Sequence, residues 1–186
     1  MKSDHSAYIQ WPVVLFLSIL LSGCLTGGNV VEGKRAYYRG EYASAYSLLQ
    51  VAADEENNPE ALWYLSRMYA DGDGVPKDEA KALELLQRSA EMGCHRAQYD
   101  LGIQYLFGKG VPRDDAKAAS LFQASAAQGN EYAMAFLGIL YATGTGVEKN
   151  LTVAANHFRQ AKENGYNVPQ ELLTEEGIAD YRPKAQ

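Results

Sequence analysis

Residues 97–118 read AQYDLGIQYLFGKGVPRDDAKA, and the stretch recurs on both sides of itself. Copies begin at Ala61, Ala97 and Ala133, a period of 36 residues. In register they share Leu65/Leu101/Leu137, then a small residue (Ser66/Gly102/Gly138), then Tyr69/Tyr105/Tyr141. A Gly-x-Gly-Val follows at Gly72–Val75, Gly108–Val111 and Gly144–Val147. Next come Ala82/Ala118/Ala154, Leu86/Phe122/Phe158 and Gly93/Gly129/Gly165. A fixed period of this size means a stacked repeat architecture. One unit cannot bury its apolar face alone, so neighbours stack into a continuous core.

The pattern within a copy defines its elements. Ala61, Leu65 and Tyr69 are four apart and share one helix face. Ala82, Leu85, Leu86 and Ala90 repeat that spacing between Glu79 and Met92. The intervening Gly72-Asp73-Gly74-Val75-Pro76 breaks a helix, and Gly93 suits a helix C-terminus. Each copy is therefore helix, glycine loop, helix. The small residues at 66/102/138 and 82/118/154 are expected to let helix backbones approach closely, with Tyr and Leu filling the space beside them.

The run Ala-x-x-x-Leu-Gly-x-x-Tyr-x-x-Gly-x-Gly-Val-x-x-Asp-x-x-Lys-Ala, from Ala97 to Ala118, resembles the Sel-one-like repeat, a longer-looped relative of the tetratricopeptide repeat. The likeness spans Ala61 to Val168 as repeats 61–96, 97–132 and 133–168. The third copy departs from it: Asn150 stands for Asp78 and Asp114, Val153 for Lys81 and Lys117, and Lys162 for Ala90 and Ala126. The resemblance implies an all-α, right-handed solenoid that binds other proteins. It does not imply a particular reaction.

Residues 31–58 read as a shorter helix pair of tetratricopeptide type, with Gly33, Gly40, Tyr42, Ala45, Leu49 and Ala52 at the expected spacing and Gly40-Glu41 as the turn. Pro59 suits the start of the next helix. In residues 169–186, a short helix over Pro169–Gly177 is expected, with Leu172, Leu173 and Ile178 covering the end of the stack before a tail.

Residues 1–23 read as a signal segment. Lys2 precedes an apolar run from Val13 to Leu21, far shorter than the roughly 20 residues that span a bilayer. Leu21-Ser22-Gly23-Cys24 resembles the bacterial lipobox. That resemblance implies cleavage before Cys24, a thioether-linked diacylglycerol on its sulfur and an acylated amine. Several acyl chains anchor stably where one does not. Leu25, in place of the Asp that retains lipoproteins in the inner membrane under enterobacterial-type sorting, implies the outer membrane, facing the periplasm. A tether over residues 24–30 would hold the solenoid near the bilayer.

After cleavage the chain retains a net charge of −6. That balance argues against nucleic acid, which demands clustered Lys and Arg. With Cys24 lipidated, Cys94 is alone, and no intrachain disulfide forms. Some Sel-one-like proteins are cysteine-rich and described as penicillin-binding or β-lactam-hydrolysing, and this chain lacks their cysteine pattern. It also lacks Ser-x-x-Lys and Gly-x-Ser-x-Gly. Asp71-Gly72-Asp73-Gly74 suggests a calcium loop, but the equivalent loops keep only the glycines. No cofactor or metal site is expected, Cys94-His95 and His157 included, and no catalytic group is assigned. An enzyme acting on peptidoglycan-like or β-lactam substrates is the alternative to a scaffold.

In tetratricopeptide-like stacks the first helix of each pair lines the concave face. The landmarks place Tyr37, Trp63, Arg67, Tyr99, Ile103, Phe107, Tyr132 and Ile139 there, with Lys34, Tyr38 and Arg96 beside them. Trp, Tyr and Arg dominate binding hot spots. The expected protein is a monomeric, envelope-anchored interaction module that takes a partner's peptide or helix in this groove.

Overall fold

The computed structural model describes residues 28–180. The signal segment, Cys24 and the tail beyond Asp180 lie outside the described residues. Eight helices form four antiparallel pairs: α1 Gly28–Tyr38 with α2 Tyr42–Asp54, α3 Pro59–Asp71 with α4 Glu79–Glu91, α5 His95–Phe107 with α6 Asp115–Ala126, and α7 Glu131–Thr143 with α8 Leu151–Glu163. A 3-10 turn, Gln170–Leu173, and α9, Glu175–Asp180, follow and pack on α8. All regular elements among the described residues are helical, and each helix packs on its neighbours in sequence. The molecule is a helical solenoid.

Local chemistry sets the helix ends. Asp78, Asp114 and Asn150 each start a second helix, their side chains accepting from the backbone N–H of Lys81, Lys117 and Val153 at 2.9, 2.9 and 3.0 Å. Asn150 therefore caps α8 just as its Asp counterparts cap α4 and α6. Asn58 and Asn130 do the same for α3 and α7. Each long loop begins with a left-handed glycine, as at Gly108 (φ 65°), where a side chain would be strained. The loop then returns to its own first helix, with the N–H of 78, 114 and 150 donating to the carbonyls of Tyr69, Tyr105 and Tyr141, all at 2.9 Å. The second glycine meets the preceding pair: a Cβ on Gly74 would lie 2.6 Å from that of Tyr42.

Packing inside a pair refines one expectation. The space beside the small residue of the first helix is taken by a side chain of the second. A Cβ on Gly102 would sit 2.8, 3.0 and 3.1 Å from ring atoms of Phe122, and one on Gly138 would be 2.7–2.8 Å from the ring of Phe158. The first full repeat has Ser66 and Leu86, both buried, at the same two register positions, so a larger first-helix residue goes with a smaller second-helix one. Gly33 and Leu49 meet likewise in the short pair. Buried Ser89 and Ser125 tie each second helix to the start of its first, donating to the carbonyls of Pro59 and His95 at 2.6 Å.

The buried residues form two apolar clusters. One runs from Val30 to Leu101 and the other from Ala118 to Val168, with Tyr105 of α5 packed against both. Leu172, Leu173 and Ile178 are half-buried against the second cluster. In the third repeat Ala154, Ala155, Phe158 and Ala161 are buried, while Lys162 points outward and donates to Gln170 at 3.0 Å.

Candidate functional site: the concave face

α1 packs on α3 and α3 on α5, and the ring of Tyr99 on α5 meets those of Tyr132 and Phe136 on α7, whereas successive second helices make no comparable approach among the described residues. The first helices therefore lie on the inner side of the curve. Aligning the pairs on Gly33, Ser66, Gly102 and Gly138 gives one inner register position occupied in turn by Lys34, Arg67, Ile103 and Ile139. The face changes from cationic to aliphatic along the stack.

The first half is a polar network. Glu60 accepts from Lys34 Nζ at 3.2 Å and from Arg96 Nη1 at 3.1 Å. Arg96 also donates to the Tyr64 hydroxyl at 3.1 Å, and that hydroxyl donates to Tyr38 at 3.2 Å. Tyr37 is half-buried, its ring centroid 5.3 Å from that of Tyr64 and 5.7 Å from that of Tyr38. Burial holds the hydroxyls of Tyr37 and Tyr64 above the usual tyrosine range.

Trp63 departs from its expected place in an open groove. Its side chain is buried, with the guanidinium groups of Arg96 and Arg67 at 5.1 and 5.4 Å from the ring centroid. The indole N–H donates to Asp100 Oδ2 at 2.6 Å. The tryptophan is thus a cross-repeat pin rather than a free anchor, and Arg67 and Arg96 present their charges in its place. Burial pushes the Asp100 carboxyl above the usual range, opposed by the indole bond and the two arginines.

The second half is aromatic and aliphatic. Tyr99 is half-buried, with ring centroids of Phe136, Phe122 and Tyr132 at 5.8, 5.9 and 5.9 Å. It joins successive repeats and offers only part of its ring. Ile103 is half-buried beside it. Phe107, Tyr132 and Ile139 remain 58%, 50% and 46% exposed, and Tyr132 packs edge-on to Tyr166 at 5.5 Å. The structure thus leaves Arg67, Phe107, Tyr132 and Ile139 accessible, with Tyr37, Tyr99 and Ile103 partly so.

Sequence reasoning passes over Glu60, Tyr64, Asp100, Phe136 and Tyr166. Tyr64, Asp100 and Phe136 occupy one register position but differ in chemistry in every copy, so no landmark marks it. The available clue is the 37-residue offset that joins Trp63 to Asp100 and Tyr99 to Phe136 across the stack.

The arrangement offers recognition chemistry. Asp100 is engaged by an indole N–H, and His95 Nδ1 contacts Asn130 Nδ2 at 3.3 Å. His157 stacks on Tyr141 at 5.5 Å. Burial holds both histidines below their ordinary value. Among the described residues no group of His, Cys, Asp and Glu is placed to hold a metal ion, and Cys94 is buried. No described helix is long and apolar enough to cross a membrane.

Stacked helix pairs with their first helices on one side define an α-solenoid. The chain belongs to the Sel1 repeat family, whose model matches residues 59–94, 95–130 and 131–166. These segments begin at the first residues of α3, α5 and α7, two residues ahead of the alanines that mark the period. Proteins of this family are typically interaction modules, and the fold is generally a non-catalytic scaffold. The chain is 34% identical over 70 residues to an exopolysaccharide production negative regulator of Rhizobium leguminosarum bv. viciae, a match covering 38% of this chain and 26% of that protein. A Sel1 repeat protein from Oxalobacter formigenes superposes with TM-score 0.67 at 28% identity, over 73% of this chain and 56% of that one. The c5321 protein, a protective antigen present in uropathogenic Escherichia coli strains, gives TM-score 0.68 at 28% identity, over 81% and 33%. The chain therefore spans about a quarter of the curated relative it matches, and about half and a third of these two solved structures.

Proposed function

We propose that this protein is a membrane-anchored periplasmic adaptor that takes a segment of another envelope protein into its concave face. The observation that carries the reading is the run of exposed Phe107, Tyr132 and Ile139 beside Arg67 on the inner side of the stack. None of these side chains is needed to close the repeat, and exposed apolar strips of this kind mark interaction sites. The anchor reading rests on Leu21-Ser22-Gly23-Cys24. Lipid on Cys24 would restrict the solenoid to the membrane surface, and Leu25 supports the outer membrane.

A photo-crosslinking residue at Ile139, compared with one at the exposed Glu84 on the outer helix α4, tests the docking reading in native envelopes. A discrete crosslinked species from position 139 and none from 84 is expected. Equal labelling from both positions would remove the groove from the account. Mass spectrometry of the mature N-terminus tests the anchor separately.

A further inference from the structure

We infer that the groove's occupant is an acidic-to-apolar segment: one or more carboxylates set against Lys34 and Arg67, followed by aliphatic or aromatic side chains set against Ile103, Phe107 and Ile139. The inference rests on the docking reading above and adds the chemistry and polarity of the partner.

Charge complementarity carries it. The chain as a whole is acidic, at −6, and the inner face of its first half sets Lys34, Arg67 and Arg96 among Glu60, Asp71 and Asp100, with Arg67 the cation that no carboxylate among the described residues pairs directly. Lys34 and Arg96 share a single carboxylate, Glu60. Arg67 is exposed and makes no ion pair among the described residues; its contact is with the face of Trp63. The indole bond of Asp100 and the cover of Arg67 and Arg96 over Trp63 hold those guanidinium groups at the surface. A carboxylate arriving there meets preordered donors, the geometry in which charge-assisted bonds are strongest. Two inner helices further on, the same register position is Ile139, 46% exposed. The strip thus has a polarity, and a segment lying along it meets cations first and apolar side chains afterwards.

The spacing sets the partner's length. Directly packed helices lie about 8–10 Å apart, so Arg67 on α3 and Ile139 on α7 are separated by at least about 16–20 Å. An extended chain covers that in about five or six residues, a helix in about 11–13. The C-terminal tail does not fit, because residues 181–186, Tyr-Arg-Pro-Lys-Ala-Gln, carry cations and no acid, and residues 1–23, which include Asp4, are removed under the signal-segment reading.

The test selects a displayed random 16-residue peptide library against the full-length chain in detergent, and against its R67E and I139D variants. Fluorescence anisotropy on the enriched peptides follows, at low and high salt. Helical CD and the melting midpoint verify that both variants fold, and R67K serves as the charge-preserving control. The expected consensus within these 16-residue peptides has Asp or Glu at one end and apolar residues five or six, or 11–13, positions away. Its affinity should fall about tenfold in R67E, survive in R67K and weaken at high salt. Selection on R67E should return Lys or Arg at the acidic position. Enriched peptides that need Ile139 but carry no acid and ignore R67E would overturn the acidic assignment while leaving the docking groove in place. A concentration-dependent dimer in ultracentrifugation that R67E abolishes would assign the strip to a second copy and overturn it as well. Enrichment of no peptide would defeat both this inference and the docking reading.

Discussion

Exchanging the inner packing pair of one repeat for that of another tests the packing logic of the whole stack. Gly102 faces the fully buried ring of Phe122, and an added Cβ would lie 2.8 Å from its nearest carbon. Phe122 also stacks on Phe136 at 5.2 Å and packs against Tyr99, so the ring has little freedom to yield. Overpacking of this kind costs about 1–3 kcal/mol. Replacing a helical glycine returns roughly 0.5 kcal/mol of propensity. Gly102→Ser alone should therefore cost about 0.5–2.5 kcal/mol. Phe122→Leu alone leaves a partial cavity and costs on the order of 1–3 kcal/mol. Together they rebuild the Ser66–Leu86 pair of the first full repeat, where the serine hydroxyl donates to the carbonyl of Trp63 at 2.7 Å. The double variant should be more stable than the sum of the single effects by about 1–2 kcal/mol, equal to about 2–8 °C in melting midpoint for a chain of this size. Urea unfolding followed by CD, with equal slopes, gives the cycle. If Gly102→Ser is as damaging in the Phe122→Leu background as in the wild type, the side-chain pairing is wrong.

Leu101→Ala, in the buried face of α5, should cost about 2–5 kcal/mol, while Lys109→Ala in the exposed loop should stay within about 0.5 kcal/mol; similar midpoints would refute the register. Phe107→Ala with Ile139→Ala should leave helical CD unchanged yet reduce the crosslinking partner's capture at least several-fold, whereas Tyr99→Ala should also lower the melting midpoint, because Tyr99 packs against Phe122, Tyr132 and Phe136. Cys24→Ala should abolish lipid attachment and move the protein to the aqueous phase on detergent partitioning; an unmodified Met1 start on the abundant wild-type form would refute the anchor. His157 is held below its ordinary value of about 6.5 by burial, so the unfolded chain takes up the proton first. That contribution is fully present above the unfolded value and is lost as pH falls from there through the lower folded value. Asp100 acts in the opposite sense, its folded value being raised. The comparison is therefore between wild type and His157→Gln: melting midpoints measured from about pH 7.5 to about pH 5.5 should decline less in the variant, and parallel profiles would refute it.

The helices and loops of this protein are legible in the sequence because the signals are local. A left-handed glycine, an Asp or Asn three residues before a helical N–H, and apolar residues four apart each act within one turn of chain. The 36-residue period then requires stacking, since no single pair can bury its own apolar face. The inner face was legible as a list of positions for the same reason: helical spacing determines which residues share a side. What each position does was settled elsewhere. Trp63 reads as an exposed anchor until Asp100, 37 residues on, accepts its indole N–H and two arginines cover its ring. Gly102 reads as a backbone contact until the ring of Phe122, twenty residues on, occupies the space. Tyr99 and Ile139 both lie on the inner helix face and both are apolar in character, yet one is half-buried between repeats and the other nearly half exposed. Those differences depend on how one repeat is placed against the next. Only the stacked structure contains that geometry, because burial and pairing belong to contacts between pairs of helices rather than to any residue's own neighbourhood in the chain.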